Sequence, residues 1–155
     1  FSVQQVTIPC RTYVSVPCSI IHAGGKVQFE DFIWHKGYQL KPYPIYDNAC
    51  VLSRDMYVSG TYQCLSFSAN KPLRIGKGGM ILTDDQEAVR WFKLARYEGR
   101  SETSILNDNF EMLGWNMYMT PEQASRGLVL MSYLKEENFT SPVYPDLSQY
   151  EIYTR

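Results

Sequence analysis

The sequence predicts an α/β fold that begins with a parallel strand–helix–strand unit. Residues 3–8 alternate apolar and polar side chains and end at Pro9, a pattern typical of a strand. Residues 12–23 predict a helix, and residues 26–30 predict a second strand. Two strands joined by a helix normally lie parallel with a right-handed crossover, so this segment indicates an α/β protein. A chain of 155 residues is the length of one domain.

The ends of the first helix carry recognisable signals. Thr12 is the predicted N-cap, because its hydroxyl can accept a hydrogen bond from a backbone N–H of the first turn. Pro17 fits this helix only near the first turn or at a kink, since proline has no N–H to donate. Gly24 and Gly25 end the helix, one of them in the left-handed conformation.

Three further strands are predicted in the middle of the chain. Residues 31–43 show no period and are interpreted as a loop. Residues 44–46 form a short predicted strand with Asp47 at its carboxyl end, which is where open α/β sheets place ligand-binding residues. Residues 62–67 predict another strand, and residues 79–82 predict its neighbour.

The rest of the chain predicts two helices and a tail. Asp84 is the expected N-cap of a helix that runs to residue 97, and Glu87 completes a capping box. Residues 100–110 are polar and predict a mobile loop. Residues 120–134 predict the second helix, and residues 138–155 predict an extended tail that can dock on a surface or a partner. The helix that ends at residue 97 carries an apolar stripe that is expected to pack in the core, formed by Ala88, Trp91, Phe92 and Ala95. The helix over residues 120–134 begins with Thr120 as N-cap, Pro121 at the first position and Gln123 at the third.

Charge and composition exclude several classes of partner. The net charge of −1 argues against nucleic acid or an anionic membrane held by long-range attraction. No apolar run approaches the ~20 residues of a membrane-spanning helix, and no secretory signal is visible. A cytoplasmic setting is therefore expected. The cysteines contain no C-x-x-C pair, which disfavours a zinc ribbon; they are Cys10, Cys18, Cys50 and Cys64. Two disulfides are an alternative, but a chain of this size does not need them, so a reduced setting is the simpler expectation.

Lys71 is the first candidate for chemistry. It lies on a turn just beyond an apolar strand, five residues after Ser66, with Gly78 and Gly79 behind it. A desolvated lysine has a lowered pKa, and its neutral amine can attack a carbonyl to form a Schiff base. The alternative from this motif alone is a solvated loop lysine, and that alternative is the commoner one.

Pyridoxal-phosphate chemistry needs an acid, a flat group and phosphate donors beside such a lysine. Asp47 is the best acid because it ends a short apolar strand, although an ordinary strand-end aspartate is an equal alternative. Ser66 offers a hydroxyl near the lysine, against the alternative of a turn serine. Tyr13 opens the first helix and can lie over a ring, whereas a buried core tyrosine is the commoner outcome.

Motifs in the same order along residues 6–134 resemble one family of enzymes. The chain is similar to the DegT/DnrJ/EryC1/StrS sugar aminotransferases, which have the aspartate-aminotransferase fold. The matching segments are Ile8 through Ser15, Gly24 to Asp31, Asp47-Asn48-Ala49, Ser66-Phe67 through Lys71 with Gly78-Gly79, Thr83-Asp84-Asp85 with the helix to Gly99, and Gly114 through Thr120 with Gln123-Ala124.

The resemblance implies a role for each matching residue. Lys71 would form the Schiff base with pyridoxal 5′-phosphate and then move the proton during transamination. Asp47 would pair with the pyridine nitrogen, and Tyr13 would stack on the ring. Ser66 would bind the phosphate, and Asn116 would reach the phosphate across a homodimer interface.

The resemblance also implies a fold and an activity. Residues 1–137 would form a reduced large domain of the pyridoxal-phosphate transferases, three-layer α/β/α with a mostly parallel sheet, and residues 138–155 would form the tail. The family's usual amino donor is glutamate, and its usual acceptor is a nucleotide-linked keto-sugar.

The sequence departs from the family pattern in ways that leave two hypotheses open. Relative to the family, residue 1 falls after the Gly-Thr phosphate turn, the link across residues 32–46 is shortened, and the small domain is missing or reduced to the tail. Cys50 stands where the family commonly has His or Gln. The first hypothesis is a dimeric aminotransferase that binds the cofactor. The second is a catalytically inactive relic that serves as a binding or assembly module.

Overall fold

The computed structural model describes residues 4–154, which contain three small β-sheets and three α-helices. The first predicted strand begins at residue 3, which lies outside the described residues. The strands are β1 (Gln5–Pro9), β2 (Lys26–Glu30), β3 (Tyr38–Gln39), β4 (Ile45–Asp47), β5 (Val51–Ser53), β6 (Tyr62–Ser66), β7 (Gly79–Leu82) and β8 (Glu137–Phe139). The helices are α1 (Ser15–His22), α2 (Gln86–Ala95) and α3 (Pro121–Met131).

The opening strand–helix–strand unit is confirmed, because β1 and β2 pair in parallel and α1 joins them. The predicted cap of α1 is wrong. Val14 occupies the N-cap position without a side-chain hydrogen bond, while Thr12 is fully buried and shares a hydrogen bond with the Tyr38 hydroxyl. Pro17 is tolerated because it is the third residue of the helix, where a backbone N–H has no partner within the helix.

The second sheet carries the strand ends on which the site is built. Its order is β3-β4-β6-β7, with β4 and β6 parallel and the outer pairs antiparallel. Because β4 and β6 run in the same direction, Asp47 and Ser66 end at the same edge of the sheet. The predicted strands at residues 44–46, 62–67 and 79–82 are confirmed within one residue.

Three elements were not predicted from the sequence. β3 lies within the segment that was interpreted as a loop, and β5 pairs antiparallel with β8 at the beginning of the predicted tail. Among the described residues two strand pairs are parallel and three are antiparallel, so a mostly parallel sheet is not confirmed. The strands β3, β5 and β8 are only two or three residues long, too short for a periodic pattern to show.

Of the N-caps predicted for the two later helices, one is confirmed and one is wrong. Thr120 and Gln123 form the predicted capping box of α3, which is confirmed. The N-cap of α2 is Asp85, whose carboxylate accepts from the backbone N–H groups of Glu87 and Ala88. Asp84 is not the cap, because its carboxylate instead accepts hydrogen bonds from Ser59 and Gly60.

The apolar stripe of α2 is only partly buried. Ala95 is buried, and Phe92 is half-buried, as the pattern predicts. Trp91 is 48% exposed, so its predicted place in the core is wrong. Its ring contacts the rings of Phe92 and Trp115 on an open side of the helix.

The buried apolar side chains form two clusters that flank the site. The N-terminal cluster contains Val6, Ile8, Ile20 and Tyr38. The second cluster, which holds the lysine loop, contains Leu65, Phe67, Leu73 and Ile75.

The C-terminal segment folds back onto the rest of the chain. Beyond β8, the Leu147 side chain is buried and its N–H donates to the Cys10 carbonyl at 2.9 Å. The predicted division at residue 137 falls within β8, and it stays a prediction. Within residues 4–154, no helix combines the length and the apolar character that crossing a membrane requires.

Candidate active site

A cavity of about 400 Å³ lies at the shared edge of β4 and β6 and brings four predicted residues together. They are Tyr13, Asp47, Ser66 and Lys71. Side chains of α1, of the lysine loop and of the C-terminal segment complete the wall. The volume lies within the range of about 300–1,000 Å³ that is usual for small-molecule sites.

Backbone hydrogen bonds hold the lysine loop, residues 67–79, in a fixed shape. Phe67 donates to the Gly78 carbonyl, and Gly76 donates back to the Phe67 carbonyl, both at 2.9 Å. Gly76 and Gly78 have φ of 114° and 100°, which side chains with a Cβ rarely adopt. Leu73 anchors the loop because it is 2% exposed in the second cluster.

Lys71 is buried at the cavity wall rather than solvated. Its side chain is only 8% exposed, and its backbone N–H closes a turn onto the Ser68 carbonyl. The Nζ atom donates to the Cys50 Sγ atom at 3.4 Å. Lysine is rarely buried without a carboxylate partner, and sulfur is a weak acceptor, so the geometry favours an amine positioned at the cavity over a solvated loop lysine.

Asp47 is held in one orientation by two donors. Its Oδ2 atom accepts from the Tyr38 hydroxyl, and its Oδ1 atom accepts from the backbone N–H of Ala49, both at 2.9 Å. The Tyr38 hydroxyl also contacts the buried Thr12 hydroxyl. Tyr38 thus positions the carboxylate, and residue 38 was missed because it lies in the segment interpreted as a loop.

The charge of Asp47 affects its buried neighbours. Burial, and then the charge of Asp47, raises the pKa of the Tyr38 hydroxyl above its usual range. The same two causes raise the pKa of the Cys64 thiol from 9.0 to about 11. Both groups therefore stay protonated near neutral pH, and the negative charge at this end of the cavity belongs to Asp47.

Small polar groups line the cavity beside Lys71. The Ser66 Oγ atom lies 3.5 Å from both the Oγ atom and the backbone N of Ser68. Ser68 in turn donates to the Asn70 side chain at 3.0 Å. These hydroxyl and amide groups can donate to an anion, and Ser68 and Asn70 could have been suspected from their alternation along the lysine loop.

Aromatic rings form another part of the cavity wall. Tyr13 is 54% exposed, and its ring centroid lies 6.0 Å from that of Tyr144. Trp34 lies 6.1 Å from Tyr144 with an interplanar angle of 22°. No local sequence pattern indicates Tyr144, because it reaches the cavity from the far end of the chain.

Asn116 lies outside this cavity. It is exposed, and its Nδ2 atom donates to Glu98 at 2.9 Å. One chain by itself therefore does not bring Asn116 to the other four residues.

A larger cavity of about 990 Å³ runs along α2 and contains none of the predicted residues. It is lined by exposed charged side chains, among them Arg90, Lys93 and Arg96. Arg90 is already paired with Glu111 at 2.7 Å. Nothing in this groove matches the chemistry of the smaller cavity.

Sequence comparison assigns the chain to a family. The profile of the DegT/DnrJ/EryC1/StrS aminotransferase family matches residues 54–142, more than half of the chain. The chain belongs to this family, whose members depend on pyridoxal phosphate. None of the curated proteins matches the chain by sequence.

Solved structures show the same α/β fold. AtS13 from Actinomadura melliaura superposes with a TM-score of 0.70 and 18% identity, over 84% of this chain and 48% of that one. PseC from Helicobacter pylori, an aminotransferase involved in the biosynthesis of pseudoaminic acid, gives 0.68 and 16%, over 84% and 46%. Spr1654 from Streptococcus pneumoniae, described as a sugar aminotransferase in its PMP form, gives 0.65 and 16%, over 84% and 48%. The chain spans about half the length of these structures.

Proposed function

We propose that the chain binds pyridoxal 5′-phosphate in the 400 Å³ cavity and takes part in transamination. The observation that carries this proposal is the meeting of Tyr13, Asp47, Ser66 and the buried Lys71 in one cavity. These residue types match the needs of that cofactor: an amine for its aldehyde, an acid for its ring nitrogen, a ring surface and phosphate donors.

When bound, pyridoxal phosphate supplies an electron sink for negative charge at the carbon that loses a proton. The chain's residues supply positions and protons. Lys71 Nζ would bind the aldehyde and, once released by substrate, would take and return the proton. The Asp47 carboxylate, fixed by Tyr38 and Ala49, would accept from the protonated ring nitrogen.

The remaining cavity walls would orient the ligand. The aromatic side of Tyr13 would face the ring, and the Ser66 hydroxyl, assisted by Ser68 and Asn70, would donate to the phosphate. Tyr144, which no sequence pattern indicated, would exclude water from the same wall.

We extend the proposal to substrate and assembly. Glutamate would be the amino donor, and a nucleotide-linked keto-sugar would be the acceptor, as the family resemblance implies. The active form would be a homodimer in which Asn116 of one subunit reaches the phosphate site of the other. Exposed apolar side chains next to Asn116 support a partner surface there, since Trp115 is 53% and Met117 is 69% exposed.

Absorbance spectroscopy tests cofactor binding directly. Protein mixed with pyridoxal phosphate should develop a visible band, and Lys71→Ala should abolish it. Lys77→Ala is the matched control, because Lys77 is an exposed lysine of the same loop, and the band should persist. A colourless mixture, or a band that survives in Lys71→Ala while circular dichroism shows folded protein, would contradict the proposal. The colourless result would favour the inactive binding module.

A further inference from the structure

We propose that a peroxide converts the Cys50–Lys71 contact into a covalent sulfur–nitrogen bond. Apart from the peroxide, this bond requires only the two side chains as they lie in this chain. Its regulatory consequence, removal of the amine that binds the cofactor, rests on the proposed function. Lys71 Nζ lies 3.4 Å from Cys50 Sγ, a contact between two nucleophiles that are 21 residues apart.

The backbone fixes both sides of this contact. Cys50 is 3% exposed, and its carbonyl accepts from the Thr140 N–H at 2.9 Å, just before β5 pairs with β8. Lys71 is held by its turn onto Ser68. Because neither backbone position depends on the other side chain, the amine and the sulfur stay neighbours in the absence of any ligand.

A small oxidant can reach the sulfur from the cavity. Cys50 and Lys71 both line the 400 Å³ space, together with Ser68 and Asn70. The Tyr144 hydroxyl lies 4.0 Å from Sγ and is protonated, since burial, and then the neighbouring Cys50, raises the pKa of Tyr144. It can therefore donate to an oxygen carried by that sulfur.

The chemistry balances with hydrogen peroxide as the only added reagent. The Cys50 sulfur attacks one peroxide oxygen, and the thiol proton goes to the departing oxygen. The O–O bond breaks, sulfur is oxidised by two electrons, and water leaves, giving a sulfenic acid. The amine then attacks this sulfur, the S–O bond breaks, and a second water leaves as the S–N bond forms. A dithiol reverses the bond, regenerating thiol and amine while it is itself oxidised to a disulfide.

A disulfide between Cys50 and Cys64 is the product that the experiment must distinguish from the Cys50–Lys71 bond. Cys64 lines the same cavity but pairs in register with Asp47, on the acidic side. Trypsin does not cleave before proline, so Cys50 lies in the peptide 37–54, and Lys71 lies with Cys64 in the peptide 55–74. A Cys50–Cys64 disulfide and a Cys50–Lys71 bond would therefore have the same mass, each lower by two hydrogen atoms.

The test uses the full chain without cofactor, treated with hydrogen peroxide and analysed by mass spectrometry without reduction. In Cys64→Ser, the peptides 37–54 and 55–74 should appear joined with loss of two hydrogen atoms. Adding Lys71→Arg to Cys64→Ser should remove the joined species, and Cys50 should then be captured by dimedone, a reagent for sulfenic acids. No joined species in Cys64→Ser, or its persistence with Lys71→Arg, would overturn the proposal.

A second arm separates this proposal from the proposed function. Cofactor binding is read first from the visible band, and peroxide is added afterwards. If the band forms, linking should slow, because the amine is occupied, and equal linking with the band present would overturn the regulatory consequence. If no band forms while the bond is found, the proposed function fails and the covalent proposal stands.

Discussion

The lysine loop and the surface around Asn116 are built in opposite ways. In the loop, Phe67 and Leu73 are 3% and 2% exposed, and paired backbone hydrogen bonds fix the chain around Lys71. Near Asn116, Leu113 is 94% and Met117 is 69% exposed. The chain therefore holds the lysine loop in place by itself and leaves the surface around Asn116 open to solvent.

This difference indicates which surface a partner would cover if the proposed homodimer forms. Buried and hydrogen-bonded segments keep their shape without help, whereas large apolar side chains that face water gain free energy when another surface covers them. A homodimer would cover the Asn116 surface and would leave the lysine cavity unchanged. The predictions below test that comparison.

The largest expected effect comes from removing a loop anchor. Leu73→Ala should lower the free energy of unfolding by about 2–5 kcal/mol, because it leaves a cavity in the second cluster. Leu128→Ala is the matched control, since Leu128 is 71% exposed, and in a monomer it should change stability by less than about 0.5 kcal/mol. Chemical denaturation measures both. Equal losses would show that Leu128 is covered in solution.

Asp47 should matter for chemistry more than for binding. Asp47→Asn keeps the shape of the side chain but removes the charge that, in the proposed function, would face the ring nitrogen, so we expect the half-reaction with glutamate to slow by about 100- to 1,000-fold. Stopped-flow absorbance measures this rate. Asp31→Asn, an exposed aspartate paired with Arg11, is the control and should react like the unchanged chain. An unchanged rate in Asp47→Asn would remove the assigned role.

Alkaline pH should lower the free energy of unfolding through buried groups at the cavity. An unfolded thiol loses its proton near pH 9.0, whereas folded Cys64 keeps its proton to about pH 11. Over this window the unfolded state binds fewer protons, so stability falls as pH rises, by about 3 kcal/mol at most for Cys64. The raised pKa of Tyr38 acts in the same direction.

Urea denaturation at pH 8 and at pH 10.5 measures this loss. Cys64→Ser should lose less stability between the two pH values than the unchanged chain, because it removes one of the titrating groups. Identical losses in both proteins would show that Cys64 does not carry the effect.

The smallest expected effect concerns Asn116. If it contacts the phosphate site of another subunit, Asn116→Ala should weaken pyridoxal-phosphate binding by about fivefold, the effect of one lost hydrogen bond worth about 1 kcal/mol. Absorbance titration measures the affinity. Light scattering should show a dimer for the cofactor-bound chain, and a cofactor-bound monomer would sink the proposed role of Asn116. Asn109→Ala is the control, because Asn109 is an exposed asparagine of the polar loop 100–110 and lies outside the segment that contains Asn116.

Local signals in the sequence were sufficient where a motif is satisfied by its own neighbours. The capping box of Thr120 and Gln123 and the strands that lead to Asp47 and Lys71 were predicted correctly for this reason. Caps failed where a distant group competed. The Thr12 hydroxyl pairs with Tyr38, and the Asp84 carboxylate accepts from Ser59, so neither caps the helix that follows it.

Short patterns and their order along the chain are enough to predict the family, the strand ends that carry Asp47 and Ser66, and the candidate lysine. The burial of Lys71 against Cys50 and the place of Tyr144 in the cavity wall depend instead on how the whole chain folds. Cys50 and Tyr144 are 94 residues apart. Contacts of this kind form when the chain folds back on itself to bury apolar side chains, and no local pattern specifies which distant side chains that burial brings together.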